Sequence, residues 1–261
     1  MNAPYKKSKP SLPQNRLIIG RKPLLEALRE AKEIDKIFLL QTATGEEITA
    51  IKKAAGTQNI ALSLVPQEKL SRLTKANHQG VVAIAGLIRY QPLQEIISRT
   101  VERGEVPLIV LLDGITDTRN LGAIARAAYC YGAHALVIPT ANNAAITEEA
   151  IKTSAGALEH LDVCRVASVQ QAIDILQLNG IQTLASALHA TQVISAIDLS
   201  VPLAFILGAE DKGVSPYALK KADYLARIPM TGNFDSLNVA VASGILLYEV
   251  YQQRNPQPAN K

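Results

Sequence analysis

Five polar residues, Asn120, Arg126, Glu210, Ser236 and Asn238, stand where an apolar run gives way to a loop or a helix start. They belong to three blocks: LDGITDTRNLGAIARAAYCYGA from Leu112, FILGAEDKGVSP from Phe205, and IPMTGNFDSLNVAVASGILLYE from Ile228. In an open α/β sheet, ligands bind in the crevice beyond the carboxyl ends of the strands, so three such corners in one domain can share a pocket. Asn120, near a helix start, suits an anion at the free backbone N–H groups or serves as a simple cap. Arg126 offers a planar fork for phosphate, or a surface ion pair. Glu210, between Gly208 and the turn-forming Gly213, lines the pocket or caps the helix that starts near Pro216. Ser236 reads as the cap of the last helix. Asn238 then falls inside an apolar helix, where a buried amide needs partners.

The remaining chemistry-bearing residues narrow the reaction. No GxGxxG follows a strand, and neither GxxxxGK[ST] nor GxSxG is present, so dinucleotide binding, NTP hydrolysis and a serine elbow are not signalled. His78, His134, His160 and His189 are scattered without metal-ligand spacing, and Cys130 and Cys164 are isolated thiols of a reduced compartment. No metal is expected. A reaction without these groups favours a cosubstrate that brings the reactivity while the protein supplies orientation.

These residues must be positioned by an alternating chain. Its 261 residues, 48% hydrophobic and 19% charged, suit a folded protein of one large or two smaller domains. Neither a signal-peptide core nor a run of ~20 apolar residues occurs, so a cytoplasmic protein that does not meet a membrane is expected. The net charge of +4 is unevenly placed: residues 1–105 hold 17 Lys+Arg against 10 Asp+Glu, and the rest hold 10 against 13. A polyanion is the partner such asymmetry suggests, although a lysine-rich solubilising tail has the same signature.

Residues 1–15 read as a flexible basic extension. From Arg16 to about residue 88 helices LLEALREA and EEITAIKKAAG, the latter stopping at Gly56, alternate with strands KIFLL, IALSLV and GVVAIAG. Residues 89–106 read as a linker carrying helix-like QEIISRTVERG without strand signal. Residues 107–254 then alternate apolar strands (PLIVLLDG, ALVIP, VCRV, TLASAL, FILG, YLARIP) with helices, including one across Glu148–Leu161 and a last one from Ser236 to about Gln253. Residues 255–261 form a tail. Apolar strand runs between helices predict a parallel sheet covered on both faces. The final helix is apolar on most sides with small residues between, which predicts either a core helix or a subunit interface.

At the three blocks the chain resembles the SpoU (TrmH-type) family of RNA ribose 2′-O-methyltransferases, through Asn120, Gly122 and Arg126, through Gly208, Glu210 and Gly213, and through Ile228, Pro229, Met230, Ser236, Leu237 and Asn238. In the front part NRLIIGRKPLLEAL and ANHQGVVAIAG resemble the small ribosomal-protein-like RNA-binding domain of the bacterial 23S rRNA guanosine branch, the RlmB type. The resemblance implies a SPOUT-type α/β parallel sheet with a C-terminal trefoil knot, and S-adenosylmethionine held around Gly208, Ile228, Met230 and Leu237. It also implies a homodimer in which Arg126 reaches the partner's site, with 23S rRNA as partner. Arg126 is then expected to fix the target phosphate and stabilise the developing alkoxide, with Asn120 orienting it, Glu210 holding the loop, and Ser236 and Asn238 completing the pocket. A tRNA methyltransferase, a resistance-conferring rRNA methyltransferase and a non-catalytic assembly factor remain as alternatives.

Overall fold

The computed structural model describes residues 16–232 and 236–256. The expected basic extension and most of the expected tail lie outside these residues. Two compact units divide at Gly86 and Leu87.

The front unit runs β1 (Leu17–Ile19), α1 (Arg21–Arg29), β2 (Ile34–Leu40), α2 (Glu46–Thr57), β3 (Ala61–Val65), α3 (Gln67–Leu73) and β4 (Val81–Ala85). Its sheet is ordered β1-β4-β2-β3, with β2 parallel to β3 and β4 antiparallel to both β1 and β2. One face packs on α1 and α2 through Leu24, Ile37, Ile48 and Ile51; the other covers Leu70 of α3. Helix α2 does not stop at Gly56, as expected, but runs one residue further. The left-handed position falls instead on Asn59 (φ 51°), a residue that tolerates it.

In the second unit the order is β5 (Tyr90–Gln91), α4 (Leu93–Glu102), β6 (Leu108–Asp113), α5 (Thr118–Cys130), β7 (Ala135–Pro139), α6 (Glu148–Ser154), α7 (Ala157–His160), β8 (Asp162–Val166), α8 (Val169–Leu178), β9 (Gln182–Ser186), β10 (Gln192–Val193), β11 (Leu203–Gly208), α9 (Pro216–Lys221), β12 (Tyr224–Arg227) and α10 (Val239–Arg254). The strands form one parallel sheet, β10-β12-β9-β11-β6-β7-β8-β5. Period-2 alternation splits its side chains between two cores. Leu108, Val110 and Leu112 of β6 join α5 and α10, whereas Ile109 and Leu111 join α4, α8 and α9.

Three expectations need correction. Residues 89–106 are not a linker: β5 pairs with β8, and Leu93, Ile96 and Ile97 of α4 are buried in the second unit's core. The amphipathic spacing of those three residues was the missed signal. The helix across Glu148–Leu161 is two, broken at Ala155 (φ 50°) and Gly156 (φ 89°). The last helix starts at Val239, because the side chain of Asn238 caps it.

Candidate active site

The carboxyl ends of β6, β9, β11 and β12 lie side by side, and the loops leaving them build the site. After β11 the chain folds back at once. Ala209 N–H donates to Gly213 O (3.1 Å), and Gly213 N–H donates to Ala209 O (2.8 Å). A Cβ on Gly208 would lie 2.1 Å from the Gly213 carbonyl carbon, so only glycine permits this closure, and Gly213 itself has φ 66°. Asp113, at the end of β6, accepts from Ser215 N–H (2.7 Å) and ties the two corners together. Ser215, not Glu210, caps α9. Opposite, Asn143 accepts from the N–H groups of Gly114 and Ile115 (3.1 and 2.9 Å), which fixes the approach to α5.

Helix α5 is capped by Asp117, whose carboxylate accepts from Arg119 N–H (2.8 Å), which leaves the Asn120 amide free for another role. Side-chain and backbone hydrogen bonds from Arg119 hold the Asp117 carboxyl below its ordinary range. In the same helix Gly122 permits close packing on α6, since a Cβ there would meet Ala150 O at 2.5 Å.

Asn238 gathers the three corners. Its Oδ1 accepts from Ala240 and Val241 N–H (3.0 and 3.3 Å), starting α10. Its Nδ2 donates to Asn120 Oδ1 (3.1 Å) and to Glu210 Oε1 (2.5 Å). The amide expected inside the helix is therefore a cap, and both of its donors and both of its acceptor sites are used.

A cavity of about 610 Å³ opens beside this cluster, bordered by Gly208, Glu210, Ile228, Met230, Ser236 and Leu237 among others. A smaller cavity of about 190 Å³ is bordered by Thr116, Asp117 and Asn120, and shares Ala209, Glu210, Asp211 and Val239 with the larger one. Sequence reasoning missed the stretch Ser186–Ala190, which also lines the large cavity. Its signal was available: TLASAL ends there, at the carboxyl end of a strand beside β11.

Arg126 stands apart. It is exposed and makes no hydrogen bond or ion pair among the described residues. Six positions beyond Asn120, it projects about 240° around the helix from it. Within one chain Asn120 is engaged by Asn238 and not by Arg126. No group of His, Cys, Asp and Glu suited to a metal occurs among the described residues. Among them no helix is long and apolar enough to cross a membrane.

Residues 107–248, which carry all three corners, match the profile of the SpoU rRNA methylase family. The chain belongs to that family. Residues 17–91 match a second profile, RNA 2′-O ribose methyltransferase substrate binding. YacO of Bacillus subtilis, named as a TrmH family tRNA/rRNA methyltransferase, is 33% identical over 243 residues, 93% of this chain and 98% of its own. A like-named protein of Staphylococcus epidermidis is 32% identical over 92% of this chain and 96% of its own. Among solved structures, the AdoMet-bound rRNA methyltransferase of Sinorhizobium meliloti is 26% identical, with TM-score 0.58, over 92% of this chain and 88% of its own. The SpoU methyltransferase AviRb of Streptomyces viridochromogenes shares the fold (TM-score 0.59, 24% identity, 91% and 90% covered). S-adenosylmethionine is the cofactor of this SpoU family, whose members methylate RNA ribose.

Proposed function

We propose that this chain transfers a methyl group from S-adenosylmethionine to the ribose 2′-oxygen of a guanosine in 23S rRNA. The observation that carries the reading is the convergence of three distant sequence blocks on two adjoining cavities, with Asn238 donating to both Asn120 and Glu210 beside them. The larger cavity has the volume of a nucleoside-sized site. Its wall combines Ile228, Met230 and Leu237 with the tight backbone turn at Gly208–Gly213, a surface suited to the face and the hydrogen-bonding edge of an adenine. When bound, the cofactor supplies an activated methyl group on a sulfonium.

Glu210 and Asn120 border the small polar cavity, the place for the target ribose. Asn238 locks both side chains at fixed angles, so the acceptor is oriented without reorganisation during reaction. Ser236 closes the rim of the cofactor cavity. Arg126, with its fork unengaged, acts on the site of a second copy, where it fixes the target phosphate and stabilises the developing alkoxide. The surface for that second copy is the outer face of α10, where Val241, Ile245, Tyr248 and Tyr251 are exposed. It continues to the end of α5 through Tyr131, just after that helix, whose ring packs on Tyr248 and Tyr251 at 6.0 and 6.1 Å. A homodimer is accordingly part of the proposal.

The trefoil knot is part of it too. From β11 the chain passes β9 to reach β12, then returns to lay α10 on α5, a path that supports this part of the reading. The excess of cations in residues 1–105 supports RNA as partner, in the cytoplasm.

The test is incubation with labelled S-adenosylmethionine and unmodified large-subunit rRNA, with tRNA in parallel, followed by nucleoside analysis. Label in 2′-O-methylguanosine from rRNA alone is expected. Label confined to tRNA would replace the substrate, and absence of cofactor binding would overturn the reading.

A further inference from the structure

The two front-unit segments that resemble the family, NRLIIGRKPLLEAL and ANHQGVVAIAG, are far apart in the chain but meet in the fold. Gly20 N–H donates to Val81 O (3.1 Å), and Arg21 N–H donates to Gln79 Oε1 (3.3 Å), across 58 positions. Where they meet lies a cavity of about 560 Å³, lined by Arg21, Lys22, Thr42, Thr44, Gln79 and Glu47 among others.

The Arg21 side chain is held in place. Its Nε–H donates to Gln79 O (3.0 Å) and its Nη1 to Thr44 O (3.3 Å). Two of its five N–H donors are thereby used and the plane of the fork is fixed, while Nη2 has no partner among the described residues. Glu47 is the one carboxylate in the lining; it stands 3.9 Å from Nη1, on the already engaged side of the fork. Lys22 is exposed and makes no ion pair or hydrogen bond among the described residues. Gln79 is held at φ 49°, with its N–H on Asn77 Oδ1 (3.3 Å), and Gly80 N–H is anchored on His78 Nδ1 (3.0 Å). The cavity thus offers two cations, two hydroxyls and an amide on a rim braced by hydrogen bonds. It has more volume than a lone phosphate needs.

We propose that this cavity seats one nucleotide of the RNA strand, with Arg21 and Lys22 on its phosphate and with Thr42, Thr44 and Gln79 on its ribose and base edge. The proposal rests on the RNA methyltransferase reading above and assigns the front unit a defined nucleotide site in place of a diffuse basic surface. Single-stranded RNA is the form whose phosphate, 2′-hydroxyl and base edges are all accessible to one such pocket.

The experiment uses the full chain and transcribed, unmodified large-subunit rRNA. Binding is measured across a series of salt concentrations, alongside methyl incorporation, S-adenosylmethionine affinity and thermal melting. K22E removes a cation that supports nothing in the fold, K22R is its control, and Q79A removes the proposed base-edge contact. K22E should weaken RNA binding about tenfold or more and flatten the plot of log affinity against log salt by ~0.7, the single-strand value for one phosphate contact. K22R should restore both, Q79A should weaken binding without changing the slope, cofactor affinity should stay at the wild-type value in all three, and melting should stay there in the two Lys22 variants. Wild-type RNA affinity and slope in K22E and Q79A, with the wild-type protein methylating the transcript, would overturn the cavity and leave the enzymatic reading standing. A wild-type protein that neither binds nor methylates rRNA or tRNA would overturn that reading and this site with it.

Discussion

At the scale of single residues, Asn238 does two jobs with one amide. Its Oδ1 starts α10 and its Nδ2 joins Asn120 to Glu210. Asn238→Ala should therefore lower stability by about 1 kcal/mol through the lost cap, read from denaturant melts. It should also lower kcat by about two orders of magnitude, because Asn120 and Glu210 lose their common partner. Arg126→Lys separates charge from geometry: it keeps the cation but loses the bidentate fork. We expect methyl transfer at least about a hundredfold slower with unchanged cofactor affinity by calorimetry; near-normal turnover would remove Arg126 from the reaction. Gly208→Ala places a methyl group 2.1 Å from the Gly213 carbonyl carbon, so the turn must open. Loss of cofactor binding by more than about tenfold is the expected outcome.

At the scale of elements, β9, α8 and β12 are joined by the carboxylate of Asp223, just before β12. Its Oδ2 accepts from Thr183 N–H (2.8 Å) and Oγ–H (2.7 Å), and Gln177 Nε2 approaches both carboxylate oxygens (3.2 and 3.3 Å). Burial works against ionisation of Asp223, but these hydrogen bonds outweigh it and hold the carboxyl below its ordinary value of 3.8. A folded-state value below the unfolded one means stability that is complete above pH ~4 and lost as pH falls through the folded-state value. Asp223→Asn should therefore melt below the wild type at neutral pH, with the gap closing in acid. A gap independent of pH would show that the carboxylate charge contributes nothing. Being largely exposed, the group should contribute modestly.

For the whole molecule the decisive prediction concerns two copies. Ile245→Asp, in the centre of the exposed face of α10, should convert a dimer into a monomer by light scattering and abolish methyl transfer together with it. Mixing Arg126→Ala with Asn238→Ala supplies a sharper check. If Arg126 acts on the partner's pocket, each mixed dimer regains one intact site, and about a quarter of wild-type activity returns at statistical exchange. If it acts on its own pocket, mixing restores nothing.

Much of this site was legible in the sequence because strand ends are recognisable. An apolar run followed by glycine and polar residues, as in FILGAED, marks where a parallel strand opens into a crevice, and Asn120, Glu210, Ser236 and Asn238 all fall at such corners. The parallel sheet followed for the same reason: strands buried on both faces read as continuous apolar runs, and β6 does from Leu108 to Leu112 before it ends on Asp113. Only the tertiary structure decided the partners. Asn238 read as a residue inside the last helix, two positions after Ser236, because Ser236 is an equally good cap in local terms; the choice went to Asn238 because its amide also finds Asn120 and Glu210, 118 and 28 positions away. The strand and helix of residues 89–106 read as a linker because β5 is two residues long and its strand pairing is with the distant β8. Local pattern fixes which residues can be buried or can cap, since period and propensity act over a few positions. Which of them meet is set by long-range packing, and for this protein that step assembles the site.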